Sequence, residues 1–231
     1  MVVKEKKTGY WMDLGLMPYV PSFEIQEKIF QGRIEGRLDP TVILQENPPV
    51  FTIGRSGSRN NILATPEDLK ERGIEVLEVN RGGDVTYHGP GQLVASPLFY
   101  LGDVGLNANE YLHSLEDVLM ELLARYDIAT RKIAEYPGVW HGESKIASVG
   151  IAVKHGFTFH GLSLNVDPDL DAFHLINPCG VSRMPVSSMR KVLGLSPPMA
   201  EVKEQLKEIV EKTYNIKTRI TSWPDLSKYL E

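Results

Sequence analysis

An α+β fold is predicted by the order in which strand-like and helix-like stretches follow one another. Short apolar runs and helical stripes are mixed along the chain, and the second half reads as consecutive hairpins. Meanders rather than regular βαβ alternation argue against a doubly wound parallel sheet. No internal repeat or low-complexity linker divides residues 1–231, so one domain is expected, with room for a small C-terminal appendage.

Taken in order, Tyr10 to Met17 reads as a first strand. Pro18 and Pro21 break it before Ser22 caps a helix from Phe23 to about Arg33, with Ile25, Ile29 and Phe30 on one face. Thr41 to Leu44 is a buried strand. Pro48 and Pro49 turn the chain into a short strand ending near Arg55, whose plain reading is a solvated charge. Thr65-Pro66 starts a helix with a hydroxyl cap and proline at the first helical position, and Gly73 stops it. Ile74 to Val79 is a strand. A further strand runs from Gln92 to Leu101, where Pro97 predicts an edge position or a bulge. Asn107 opens the longest helix, striped by Leu112, Leu115, Leu119 and Leu122.

The meander follows: Gly138-Val139-Trp140, then Lys145 to Val153, then Phe157 to Val166, joined by glycine-containing turns. Beyond Asp167-Pro168-Asp169 the chain is irregular. Pro178 keeps Asn177 out of helical geometry and so places Cys179 on a loop or turn. From Pro198 onward a helix presents Val202, Leu206, Ile209 and Val210 on one side, and Ile216 to Ile220 forms a last strand.

Between two of these strands lies Arg81-Gly82-Gly83-Asp84-Val85-Thr86-Tyr87-His88-Gly89-Pro90-Gly91-Gln92, which reads as a loop too polar for the core. Its glycines suit close approach of backbone to a ligand. It is no known phosphate fingerprint, since GxGxxG and GxxxxGK[ST] are both absent and no long helix opens behind it. His88 inside it reads as a substrate contact or a structural hydrogen bonder, and His160 and His174 as structural.

Composition excludes several classes. A net charge of −5 gives no global basic field of the kind nucleic-acid binders use. No apolar run approaches the ~18 residues of a membrane span, and the charged start, Met1 to Lys7, has no apolar core behind it, so a cytoplasmic protein is expected. His155 and His160, an odd number of positions apart beside a strand, face opposite sides, and no HExxH or Cys/His cluster occurs, so no metal is expected. A serine hydrolase lacks its GxSxG elbow.

Cys179 is the single cysteine, so no intramolecular disulfide can form. It is either a buried small hydrophobe or a reactive thiol. Lys145 begins a strand with small and apolar neighbours, where poor solvation lowers a lysine pKa while its charge favours a nearby thiolate. On the residues alone, both readings of this pair stand.

Three segments together resemble the octanoyltransferases of lipoate synthesis: Arg81 to His88 with Gly91-Gln92; Gly138-Val139-Trp140 through Lys145-Ile146-Ala147-Ser148-Val149-Gly150; and Phe159-His160-Gly161-Leu162-Ser163-Leu164-Asn165-Val166 leading to Ile176-Asn177-Pro178-Cys179-Gly180. The similarity extends from about residue 10 to 215 and includes Glu46 to Arg55 and Val186 to Met189. It implies a biotin/lipoate-protein-ligase-like α+β fold, a mixed sheet with flanking helices, and no cofactor. It also implies transfer of an octanoyl group from acyl carrier protein to a lysine of lipoyl domains in 2-oxoacid dehydrogenase E2 subunits and the glycine-cleavage H protein. The family's nucleophile falls on Cys179 and its pKa-lowering lysine on Lys145. Its acyl-binding segments fall on Arg81, Gly82, Gly83, Asp84, Val85, Thr86, Tyr87 and His88, on Ser148, Val149 and Gly150, and on Gly161, Leu162 and Ser163. Asp84 and the turn His141-Gly142-Glu143 fall where the family varies. The competing readings are an ATP-dependent lipoate ligase of the same fold, which would not use a cysteine at this place, and a non-enzymatic acyl-carrier binding module with the cysteine merely buried.

Overall fold

Strand β1 (Lys7–Leu16), helix α1 (Tyr19–Ile34) and strand β2 (Thr41–Glu46) begin the molecule as a strand–helix–strand unit in which β1 and β2 pair in parallel. The computed structural model describes residues 6–230; residues 1–5, part of the start read above as charged, and the last residue, Glu231, lie outside them. Strand β3 (Val50–Ile53), helix α2 (Pro66–Glu71), strand β4 (Glu75–Glu78), strand β5 (Val85–His88) and strand β6 (Gln92–Leu98) follow. Next come α3 (Leu101–Val104), α4 (Ala108–Ala124), β7 (Arg131–Lys132), β8 (Gly138–His141), β9 (Ser144–Lys154) and β10 (Phe157–Asn165). Two 3₁₀ turns lead to α5 (Met189–Leu193), α6 (Met199–Thr213), β11 (Ile216–Thr221) and α7 (Trp223–Ser227).

Eight strands make one mixed sheet in the order β11-β1-β2-β6-β10-β9-β8-β7, and β4-β3-β5 make a smaller one. Leucines of α4 and the apolar side of α6 cover one face of the large sheet, burying Val42, Leu44, Leu93, Ala95, Leu162 and Leu164 among Leu119, Leu122 and Leu206. Helix α1 lies on the other face, with Ile25 and Ile29 against Met12, Ile43, Leu98 and Phe159. This face continues past α1 towards the small sheet, and a cleft opens between them. Since β11 pairs in parallel with β1, the last unit extends the large sheet. No described helix is long and apolar enough to cross a membrane.

Two helix starts read from the sequence are capped as expected: Thr65 with Asp68, and Asn107 with Glu110, each form a reciprocal capping box. Three expectations are corrected. Helix α1 starts at Tyr19, not Phe23, because Pro21 falls in the first turn, where a missing N–H costs no hydrogen bond; Ser22 lies inside the helix and its hydroxyl donates to Tyr19 O at 2.8 Å. The glycine-rich stretch is not one loop, since Val85–His88 pairs with β3 and buries Val85, Tyr87 and His88. Pro97 is neither at an edge nor in a bulge. It lies opposite Val42 in an interior strand, but β6 and β10 pair only as far as Ala95 and Leu162, so no partner waits for the missing N–H, and Pro97 O accepts instead from Thr158 Oγ1 at 2.7 Å. Short elements α3, β7 and α5 have too few residues for any periodicity to show.

Candidate active site

Cys179 stands on a turn that disfavours most side chains. Pro178–Gly180 form one 3₁₀ turn entered from Asn177 at φ −102°, ψ 90°, and Cys179 itself has φ 56°, ψ 23°. A non-glycine residue in this region costs about 1–2 kcal/mol, so its surroundings must hold it there. Asn177 N–H donates to Asn61 O at 2.7 Å and Gly180 N–H to Asn177 O at 3.0 Å, while Ile62 bridges to Ile176. Asp84 braces the turn from the far side. Its carboxylate accepts from Asn61 Nδ2 at 2.7 Å, Val85 N–H at 2.7 Å and Ser58 N–H at 3.2 Å, and a side chain on Gly180 would come within 3.0 Å of it. The thiol, half-buried and free, lines the cleft.

Lys145 reaches the same point through a bulge. Val139 lies opposite Ala147 but Trp140 lies opposite Lys145, so Ile146 is an extra residue in β9. Such a bulge re-aims its neighbours. Ile146 and Ala147 both enter the core beneath α4, and Lys145 is delivered to the opposite, cleft face. Its Nζ stands 3.5 Å from Cys179 Sγ and 5.8 Å from the centre of the Trp140 ring, and the residue is only 5% exposed. Burial holds its pKa below the ordinary lysine value, against the pull of the Cys179 charge and hydrogen bond and of the Glu116 carboxylate; the Arg81 cation lowers it further. Gly138, at φ 134°, makes the room: a Cβ there would lie 2.6 Å from Lys145 Cε and 2.4 Å from Ala147 O.

Arg81 serves the loop rather than facing open solvent. Nη2 donates to Thr52 O and Asp84 O, each at 2.7 Å, Nε to Thr52 Oγ1 at 3.1 Å, and Nη1 to Gly82 O at 2.9 Å. Among the described residues no carboxylate forms an ion pair with it, and its charge acts on Tyr19, His88, Lys145 and His160 around the cleft. Gly82 N–H donates to Ile151 O at 3.2 Å and ties this stretch to β9. The result is a cleft of about 200 Å³ with a thiol and a buried ammonium side by side.

Residues 18–211 match the family described as Lipoyl protein ligase A/B catalytic domain. The octanoyltransferase of Chloroflexus aggregans is 42% identical over 196 residues, covering 84% of this chain and 89% of the relative, and that of Caldicellulosiruptor saccharolyticus is 40% identical over 220 residues, covering 94% of each. The chain belongs to the octanoyltransferase family. It is an acyltransferase whose chemistry is octanoyl or lipoyl transfer. A putative lipoate protein ligase from T. acidophilum, solved with bound lipoic acid, has the same fold, with a TM-score of 0.74 at 17% identity over 96% of this chain and 94% of that one. The biotin protein ligase of Aquifex aeolicus is a more distant fold relative, with a TM-score of 0.51 at 11% identity over 98% and 77%.

In this octanoyltransferase the cleft is lined by Arg81 to Thr86, His88, Ser148 to Gly150 and Gly161 to Ser163, together with Lys145 and Cys179. Tyr87 is the exception among the expected binding residues. Strand alternation turns it into the small sheet's core, where its ring meets Phe51 at 5.8 Å and Phe173 at 5.4 Å. Val149 and Leu162 bury their side chains on the α4 face, so what they offer the cleft is main chain. Unforeseen in the sequence are Tyr19, Ser22, Phe23 and Gln26 of α1, Gln45 of β2 and Ser96 of β6, all lining the cleft. A Ser/Gln-bearing helix face reads as solvated, but Ser22 and Gln26 are buried and bonded to Gln45 of β2 and Ser96 of β6.

His88 and His160 are both neutral at pH 7. Burial and the Arg81 cation push His88 down to about 4, although Gln92 Oε1 lies 2.6 Å from its Nδ1. Burial, Arg81, His88 and Arg55 push His160 to about 3; its Nε2 contacts Asn80 Oδ1 at 2.6 Å and its ring stacks on Phe23. Above pH 6.5 neither the folded nor the unfolded chain protonates them. As pH falls below 6.5 the unfolded chain binds protons that the folded one refuses, so stability is lost progressively until pH reaches about 4 for His88 and about 3 for His160. The urea midpoint should therefore fall steeply between pH 6.5 and 4, and less steeply in His88→Gln. An equal slope in that variant contradicts the assignment. Among the described residues no group of three or more His, Cys, Asp or Glu could hold a metal ion.

Proposed function

We propose that this octanoyltransferase moves an octanoyl group from acyl carrier protein to a lysine of a lipoyl domain through a thioester on Cys179. The observation that carries the reading is the 3.5 Å approach of Lys145 Nζ to Cys179 Sγ inside the cleft. The thiolate attacks the carrier thioester, a bond from Sγ to the acyl carbon forms, and the bond to the carrier sulfur breaks. Lys145 gives its proton to the departing carrier thiolate. One thioester has replaced another, so no nucleotide is needed to drive the step. The acceptor lysine, arriving as an ammonium, returns a proton to Lys145; its amine attacks, the amide forms, Cys179 leaves as thiolate, and the second amine proton passes to solvent. A lysine whose pKa is already lowered by burial is suited to both transfers. The reading is tested by turnover of octanoyl carrier protein and a purified lipoyl domain without nucleotide: octanoylated domain is expected, and a strict ATP requirement would mark a ligase instead.

Docking of acidic carriers on a chain of net charge −5 requires a local basic surface. Arg55, Arg59 and Arg183 are exposed near the glycine-rich stretch and the Cys179 turn, with Lys191 beyond them; Arg190 is held by Asp167 at 3.2 Å and is the weaker candidate. Reversing Arg55 and Arg183 to glutamate is expected to raise KM for the carrier substrate about tenfold at low salt, with the difference shrinking as salt rises. A small octanoyl thioester should be used equally by both proteins. Equal carrier kinetics at low salt would leave shape alone to explain recognition.

A further inference from the structure

The register of the large sheet sets out one straight path on the cleft face. Gly138 of β8 lies opposite Ser148 of β9, Ser148 opposite Ser163 of β10, Ser163 opposite Val94 of β6, and Val94 opposite Gln45 of β2. Lys145 rests on Gly138 and touches Cys179, so the path begins at the thiol. Small side chains keep its first part open. Its far end is polar: Gln45 Nε2 donates to Ser22 Oγ at 2.9 Å and to Asn47 Oδ1 at 3.2 Å, and Gln26 Nε2 donates to Ser96 Oγ at 3.1 Å while its Oε1 accepts the His160 N–H at 3.0 Å. Ser22, Gln26, Gln45 and Ser96 are each 5% exposed or less.

Resting on the reading that Cys179 carries the acyl group, we propose that the chain lies across the strands along this row and that Gln45, braced by Ser22 and backed by Gln26 and Ser96, sets the longest chain the enzyme accepts. In this proposal the acyl carbon, one bond out from the thiol, stands over Ser148, the next residue of the row after Gly138; with strands about 4.8 Å apart, Val94 is then roughly 10 Å and Gln45 roughly 14 Å from it. An extended eight-carbon chain with bonds of about 1.5 Å advances roughly 9 Å between its first and last carbons. Its methyl end therefore lies over Val94, and a chain two to four carbons longer meets the buried amide of Gln45, already bonded to Ser22 and Asn47, with that of Gln26, bonded to Ser96 and the His160 N–H, behind it. An apolar group there must break those bonds or leave them without water, which selects against it.

The test is a chain-length series of small acyl thioesters, hexanoyl to dodecanoyl, with kcat/KM measured for the wild type, Gln45→Ala and Val94→Phe. Gln45→Ala, which shortens the wall, is expected to raise the dodecanoyl-to-octanoyl ratio at least about tenfold, and Val94→Phe, which fills the row earlier, to move the preference from octanoyl to hexanoyl. Thermal shifts with the free acids, hexanoate to dodecanoate, are read in parallel on Cys179→Ala with and without each substitution, so that the length profile is obtained even where no thioester forms. Should Cys179 prove not to be the nucleophile, this binding profile still moves with Gln45 and Val94. Unchanged profiles in both folded variants, or an equal loss at every length in Val94→Phe when Gln45→Ala does not fold, would overturn the proposal.

Discussion

Cys179→Ala is expected to reduce octanoyl transfer by at least about 10³-fold with the far-UV circular dichroism unchanged, since no other side chain in the cleft can hold the group as a thioester. The strained backbone is the same for alanine as for cysteine, and the turn is held by main-chain bonds and by Asp84, none of which involves the thiol. Loss of activity is therefore a chemical result and not an unfolding one. Full activity in this variant would falsify the assignment.

Lys145→Met is expected to reduce activity by about 10²–10⁴-fold, the range of a positioned acid-base group, without loss of stability. Methionine keeps the length of the side chain over Gly138 and removes a buried cation that Arg81 repels. Alkylation by iodoacetamide at pH 7 should slow in the same variant, because the thiolate loses the ammonium 3.5 Å away. Lys145→Arg is not a rescue: the space over Gly138 is already filled to the Lys145 Cε, and a guanidinium does not exchange protons at neutral pH. An unchanged alkylation rate in Lys145→Met would remove Lys145 from the site.

Much of the scaffold was legible because its signals are local. Caps at Thr65 and Asn107, the stripe of α4 and the hairpins of the meander each need only a few adjacent residues. The pair Cys179 and Lys145 was named from residue chemistry and family resemblance, but its geometry was not legible. What brings them together is a bulge at Ile146 that moves Lys145 across the sheet, and the bonds of Asn61 and Asp84 that fix the Cys179 turn. Neither leaves a mark in composition or period. Alternation could have separated Tyr87 from Thr86 and His88, had Val85–His88 been read as a strand; its flanking glycines hid it. Gln26 and Gln45 were invisible for another reason. Buried glutamines look like surface residues until the partners that satisfy them are known.

The central claim is that the acyl group passes through a covalent thioester on Cys179. Rapid mixing of the enzyme with octanoyl carrier protein, quenched in acid and read by intact mass and peptide mapping, tests it most directly. The account predicts a gain of one octanoyl group located on Cys179 within a single turnover, lost again on adding a lipoyl domain at a rate no slower than steady-state transfer. Turnover at the normal rate with no adduct, or an adduct that the lipoyl domain does not discharge, contradicts it.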